Sequence, residues 1–317
     1  MNKSDRGEPF GHLWLVVLLS LVCAAHLTAQ DELIRVSTRL VTLSASVMDR
    51  DGRYVSGLDV SQFHLLEDGK PQQIAFFRPV TTPFTVLLLL DRSASMTPDK
   101  PAMIGAANQF FSNLRPDDVV IAESFADDTM KIFGPKQVKD INKSFKVEPK
   151  LGDMTTRLFD AVHFALERMQ KVKGRKAIVL FTDGMEPTKG LWDVGSIYAT
   201  AKGTLKKAEE AETIVYTIKF NPLDRRPNVD REKLAVWNSD AREYMGDLAR
   251  LTGGRFFEME NVTDLAKIFA DIVSELGSQY TLGYYAAANT KAGERRKIAV
   301  KVDVPGAVVR SRKEVVY

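Results

Sequence analysis

Cysteine is almost missing from this chain of 317 residues, and histidine is scarce: one Cys, Cys23, and four His. A single thiol excludes a disulfide framework and any cysteine-rich zinc module. Charge of one sign is not in excess either, since 44 Lys and Arg face 41 Asp and Glu for a net +3. So even a balance offers no bulk attraction for nucleic acid. Long apolar runs are absent too, and nothing after the N-terminal region reaches the 18 or so residues that a membrane-spanning helix needs. What remains is ordinary for a globular protein, with 44% hydrophobic and 27% charged residues. The length alone suggests roughly two domains.

The N-terminus carries a targeting pattern. Lys3 and Arg6 precede an apolar run from Leu13 to Ala25, which is too short to span a bilayer. A basic start, a short apolar core and a small residue before the mature chain read as a secretory signal over residues 1–30, cleaved near Ala29 or Gln30. Val22 stands where a lipoprotein signal wants Gly, Ala or Ser before Cys23. Cleavage removes two bases, Lys3 and Arg6, and two acids, Asp5 and Glu8, so the net charge stays the same. It also removes Cys23, His12 and His26, leaving only His64 and His163. Thiol catalysis is thereby excluded, and a zinc site of the usual His/Cys type is nearly so. The expected product is exported, either secreted or held in the periplasm or cell envelope, with no integral membrane span in the mature chain.

Residues 31–80 read as β structure. Val41, Leu43, Ala45 and Val47 alternate as in a half-buried strand, and Asp51-Gly52 and Asp68-Gly69 are turn dipeptides. Pro79 and Pro83 bracket a linker. From residue 84 the pattern changes. Phe84 to Leu90 and Ala177 to Phe181 are continuous apolar runs, typical of strands buried on both faces. Helical spacing follows over Ala102–Leu114, Leu158–Val172, Ile197–Ala211, Tyr244–Leu251 and Val262–Leu276. Val138, Ile141 and Phe145 suggest a further helix. Strands are expected at Val119–Phe125, Met130–Phe133, Thr213–Phe220 and Phe256–Met259. The Met130–Phe133 strand is close enough to its predecessor to pair antiparallel. Gly253-Gly254 ends one helix and Asn261 can cap the next. Alternating strands and helices over 84–276 predict an α/β fold with a doubly wound, mainly parallel sheet. After Gly277 the helices stop, and residues 278–317 return to β alternation at Ile298, Val300, Val302 and Val304. Each flanking segment is short for a core of its own. The economical arrangement has 278–317 pairing with 31–80 as one small discontinuous all-β domain, with the α/β domain inserted between its halves.

The chemistry concentrates at strand ends. The first apolar strand runs into Asp91-Arg92-Ser93-Ala94-Ser95, and the later one into Thr182-Asp183-Gly184. Both carboxylates therefore sit at the carboxyl edge of a parallel sheet, where open α/β folds bind ligands. The loop Gly152-Asp153-Met154-Thr155-Thr156-Arg157 enters a helix between them and can bring a hydroxyl to the same edge. Asp91, Ser93, Ser95, Thr156 and Asp183 are all hard oxygen donors. They suit Mg²⁺, with Mn²⁺ or Ca²⁺ as substitutes, held by two carboxylates and keeping some of its own waters. An incomplete shell leaves a position for water or for an acidic oxygen from outside.

On these residues the segment 84–276 resembles a von Willebrand factor type A (VWA) domain with a metal-ion-dependent adhesion site. Its motif, Asp-x-Ser-x-Ser, then Thr, then Asp, reads here as Asp91, Ser93, Ser95, Thr156 and Asp183. The neighbourhood Gly152, Thr155, Leu158, Asp160, Ala161 fits as well, and the family's spacing selects Thr156 over Thr155. Ala94 stands where the family often has Gly. The resemblance implies a six-stranded sheet of order 3-2-1-4-5-6 with one antiparallel edge. It also implies a divalent cation that coordinates an acidic side chain of a protein partner. The flanks, with Asp49, Gly52, Phe63, Glu67-Asp68-Gly69 and the stretch Tyr280 to Tyr284, resemble the secreted VWA-related proteins common in Acidobacteria.

Each sharp feature has a plainer rival. A Ser or Asp after a strand is often only a helix cap, and it is the three-part set that carries weight. Lys136, Lys139, Lys143, Lys146 and Lys150 would form one basic stripe on a helix, most simply a solvated face. His163 lies near an apolar stripe and reads as packed. The long loop 221–240, with Asp224, Arg231 and Trp237, should border the metal edge and select ligands together with the loop of Glu186 and Trp192. The leading expectation is a non-enzymatic, exported binding module. A structural envelope protein with a vestigial metal site is the alternative. A metal-dependent hydrolase is a third reading, but no His or Cys is placed to act as base or nucleophile.

Overall fold

A computed structural model of the chain describes residues 39–141, 156–184, 197–221, 231–287 and 290–317. The expected export signal over 1–30 lies outside these residues, as do Gly152, Thr155, Glu186 and Trp192. In chain order the first strands are β1 (Leu40–Met48), β2 (Phe63–Glu67), β3 (Lys70–Gln72), β4 (Phe76–Arg78) and β5 (Phe84–Asp91). Helix α1 (Lys100–Asn113) leads to β6 (Val119–Phe125) and β7 (Thr129–Gln137). Then come α2 (Leu158–Gln170), β8 (Arg175–Thr182), α3 (Ala201–Glu210), β9 (Ile214–Phe220) and α4 (Arg231–Thr252). The chain closes with β10 (Phe256–Met259), α5 (Leu265–Leu276), β11 (Gln279–Tyr285), β12 (Arg295–Val302), β13 (Val308–Arg310) and β14 (Glu314–Val316).

The middle of the chain forms one six-stranded sheet in the order β10-β9-β8-β5-β6-β7. All neighbours pair in parallel except β7, the antiparallel edge. Counted from β5, this is the order 3-2-1-4-5-6. The continuous apolar runs explain it. β5 buries Val86 to Leu90 completely, and β8 buries Ala177, Val179, Leu180 and Phe181 likewise. Such strands need cover on both faces. On one face Val86, Leu88 and Leu90 pack with Met103, Phe110 and Phe111 of α1 and Phe269 and Ile272 of α5. On the other, Leu87 and Leu89 pack with Leu158, Val162, Leu166 and Met169 of α2 and Met245 and Leu248 of α4. The α2 positions recur every three or four residues, which puts one stripe of the helix on the sheet.

The flanking strands form two four-stranded sheets, ordered β13-β1-β11-β4 and β14-β12-β2-β3. Each sheet combines strands from before residue 80 with strands from after residue 278, and in the first sheet they alternate. Leu43 pairs with Leu282 and Leu65 with Val300 in antiparallel register. The inward residues of both sheets, among them Leu43, Ala45, Val47, Leu65, Tyr280, Leu282 and Ile298, share a single apolar core. Each segment supplies part of this core.

Buried charge stitches this core to the α/β layer. Glu275, in the last turn of α5, is completely buried. It accepts hydrogen bonds from Ser46 Oγ at 3.2 Å and Tyr54 Oη at 3.0 Å, and it pairs with Arg310 Nη2 at 2.5 Å. Two arginines hold the points where the chain crosses between the layers. Arg115 donates to the carbonyls of Val80 at 2.8 Å and Gly277 at 2.9 Å. Arg175 donates to Val80 O at 3.1 Å and to the carbonyl of Leu276. Cations at the last carbonyls of α5 also favour its dipole. Burial pulls the Arg175 guanidinium down to about 10.

Two expectations change. Residues 136–140 do not begin a helix. Pairing of Val119 with Gln137 and Val120 with Lys136 extends β7 through residue 137, and Val138–Asp140 is a single 3₁₀ turn. Lys136 and Lys139 therefore do not share a helical face; Lys143, Lys146 and Lys150 lie outside the described residues. The long loop expected over 221–240 is also shortened, because α4 starts at Arg231 and carries Trp237 on its second turn. Its burial begins only at Ala241, so the first turns lack the apolar stripe that reveals a helix in sequence.

Glu275→Ala leaves Arg310 facing a void in a buried network. Removing one partner of such a pair costs about 3–5 kcal/mol. We expect that loss in urea unfolding monitored by circular dichroism.

Candidate metal centre

Two neighbouring parallel strands end together at this edge. β5 and β8 pair from Phe84↔Arg175 to Leu90↔Phe181, so the next residues, Asp91 and Thr182, stand side by side. Asp91 is completely buried and Asp183 is 2% exposed. Carboxylates are rarely buried this deeply unless something holds them. Asp91 Oδ1 accepts the backbone N–H of Ser93 at 2.8 Å, and its Oδ2 accepts the Thr182 hydroxyl at 2.6 Å. The same Thr182 Oγ1 accepts from Gly184 N at 2.9 Å. Thr182 thus locks the carboxylate of one strand to the turn that follows the other.

The hydroxyls converge on the same place. Ser95 Oγ donates to Asp183 Oδ2 at 2.7 Å and lies 3.1 Å from Ser93 Oγ. Thr156 reaches the edge from the adjacent strand end. Arg92 N bonds Phe125 O at 2.8 Å at the end of β6, and Arg157 N bonds Ala126 O at 2.7 Å one residue further on. Thr156 itself is 3% exposed. The structure therefore joins Asp91, Ser93, Ser95 and Asp183 in one hydrogen-bonded cluster and buries Thr156 at the neighbouring strand end. Gly184 has φ of 73°, and a Cβ there would fall 2.8 Å from Ala241 Cβ, so glycine lets α4 close over the turn. His64 pairs with Asp303 and His163 with Glu167, and neither joins the cluster.

Burial is the main reason that the Asp91 carboxyl is pushed up to about 7, with the like charge of Asp183 as the second cause. The hydrogen bonds from Thr182 and Ser93 offset only part of this. The donor set, two buried carboxylates with hydroxyls turned between them, fits a hard, oxygen-loving dication, which would relieve the like-charge cost. Among the described residues no group of three or more His, Cys, Asp or Glu converges anywhere, so they hold no alternative centre of that kind. Sequence reasoning missed Thr182, whose only signal was its place between an apolar strand and Asp183.

Residues 86–186 match the family model described as "von Willebrand factor type A domain". The sheet order over this segment is that of a Rossmann-like VWA fold. Among solved structures, proximal thread matrix protein 1 from the mussel byssus is similar at 16% identity, covering 71% of this chain and 51% of its own, with a TM-score of 0.49. The chain thus spans about half the length of that mussel protein. The same mussel protein with a zinc-occupied metal-ion-dependent adhesion site matches at 17% identity, 67% and 49% coverage, and a TM-score of 0.46. A von Willebrand factor type A protein from Catenulispora acidiphila matches at 8% identity, 88% and 74% coverage, and a TM-score of 0.45. No curated protein matches the chain.

A carboxyl held at about 7 when folded and near 4 when unfolded costs stability once it ionises. In chelator, the protein should therefore lose stability as pH rises from about 4 to about 7, on the order of 4 kcal/mol from this group. Asp91→Asn should flatten that slope and raise stability in EDTA at pH 8 by roughly 2–4 kcal/mol. Urea midpoints across the pH range check both.

Proposed function

We propose that this chain is a non-enzymatic binding module. A divalent cation, Mg²⁺ or in its place Mn²⁺ or Ca²⁺, is held by Asp91, Ser93, Ser95, Thr156 and Asp183, and it accepts a carboxylate from an acidic side chain of a partner protein. The observation that carries this reading is the pair of buried carboxylates closing on the Ser93 and Ser95 hydroxyls at one sheet edge. Thr182 and the Ser93 amide orient Asp91, and Ser95 orients Asp183. The two acids balance the dication, while the hydroxyls add donors without further charge, so affinity remains for an outside anion. The bound ion supplies electrostatic attraction and a coordination position; the surrounding loops supply the remaining contacts. Neither His64 nor His163 lies in the cluster to serve as a general base, which favours binding over hydrolysis.

Export accords with this role. The basic, then apolar, then small-residue pattern over 1–30 is the basis for placing the protein outside the cytoplasm. Among the described residues no helix is long and apolar enough to cross a membrane.

Asp183→Ala tests the site. Titration calorimetry with Mg²⁺ should show a saturable heat in the wild type and none in the variant, with the far-ultraviolet circular dichroism spectrum unchanged. Equal heats in both proteins would overturn the assignment.

A further inference from the structure

Among the described residues, a fully buried cation lies beside this edge. Lys219 lies on β9 directly opposite Thr182, the residue before Asp183, and its side chain is 0% exposed. Thr217, two residues earlier on the same face, donates to Met245 O of α4. Lys219 therefore points into the layer between the sheet and α4, where Val215 packs among apolar residues. A methylene-rich apolar side chain would fill that layer without the cost of burying an ammonium group.

The neighbours of Lys219 form an ordered charge sequence. Its Nζ donates to Asn238 Oδ1 at 2.9 Å and lies 3.7 Å from Glu258 Oε1 on β10. Glu258 is in turn gripped on both oxygens by Arg242, at 2.9 and 2.8 Å. Glu258 is thus already paired with a cation of its own, which leaves part of the Lys219 charge to act elsewhere. Burial pulls the Lys219 ammonium down, while the charges of Glu258 and then Asp183 push it back up, so the field of Asp183 reaches it.

We propose that Lys219 is the resident counter-charge of the Asp91–Asp183 pair, steadying Asp183 when no cation is bound and moderating the affinity for a dication when one is. The second half of this rests on the proposed metal site; the first half does not. A cation fixed one strand away from the two acids repels a dication bound between them through a medium that screens poorly. Glu258 partly cancels that repulsion, so changes at Glu258 and Lys219 should act in opposite directions although neither residue is a proposed metal ligand. A purely structural link between β9 and β10 has no such signature, because breaking it from either side would have the same effect.

Two measurements decide the matter. Calorimetric titration with MgCl₂ should show Lys219→Met binding about fivefold more tightly or better, and Glu258→Gln binding several-fold more weakly. Unchanged affinities, or a shift in the same direction for both variants, would overturn the proposal. Melting in EDTA is independent of metal. There Lys219→Met should lower the melting temperature, and by clearly less in an Asp183→Asn background. An equal drop in both backgrounds would overturn the counter-charge role. Should Lys219→Met fail to fold, Glu258→Gln still carries the affinity arm, and Lys219→Gln replaces it in the melts. If the wild type takes up no Mg²⁺, the metal reading fails and the melting comparison alone decides whether Lys219 serves Asp183.

Discussion

Two carboxylates ending side by side on adjacent buried strands are the constraint around which this edge of the molecule is built. β5 and β8 are neighbours because both are apolar on both faces and must lie in the middle of the sheet. Once paired in register, they bring Asp91 and the turn of Asp183 together, and the like charges oppose one another. Much of the nearby chemistry compensates for that. Thr182, the Ser93 amide and the Ser95 hydroxyl each donate to one of the acids. Gly184 lets α4 seal the turn, which deepens the burial and raises the cost of leaving the charge unanswered.

The opposite ends of the strands solve a different electrostatic problem. There the chain enters and leaves the α/β layer, and loose carbonyls at Val80, Leu276 and Gly277 need donors. Arg115, in the turn before β6, and Arg175, at the start of β8, supply them. Glu275 adds the reciprocal arrangement, an acid from α5 satisfied by Ser46 of β1, Arg310 of β13 and Tyr54 of the loop after β1. A third seam runs from α3 through Glu209, paired with Arg295 of β12 at 2.6 Å. An inserted layer needs rigid exits, and arginine provides them because one planar guanidinium can serve several fixed carbonyls.

How much of this was legible beforehand depended on whether a feature is local. The strand ends at Asp91 and Asp183 were visible because an apolar run followed by an acid is a pattern within one segment. α2 was visible because Leu158, Ala161, Val162, Ala165, Leu166 and Met169 keep helical period. The first turns of α4 were hidden, since no residue from Arg231 to Asp240 is fully buried and Asn238 is held by Lys219 of β9, a contact that the sequence does not show. Lys136 looked helical until pairing with Val120 drew it into β7.

The amino-acid sequence by itself determined which segments are buried on two faces, where they stop, and which oxygen donors stand at those ends, because each is written in consecutive residues. Tertiary structure alone decided that Thr182 bridges to Asp91 across 91 positions, that Lys219 stands opposite Thr182, the residue before Asp183, and that Leu43 meets Leu282 in one sheet. The reason is physical. Hydrophobic period reports what a segment must hide from water, but hydrogen bonds and charge pairs form only between groups that packing has already brought within a few ångströms.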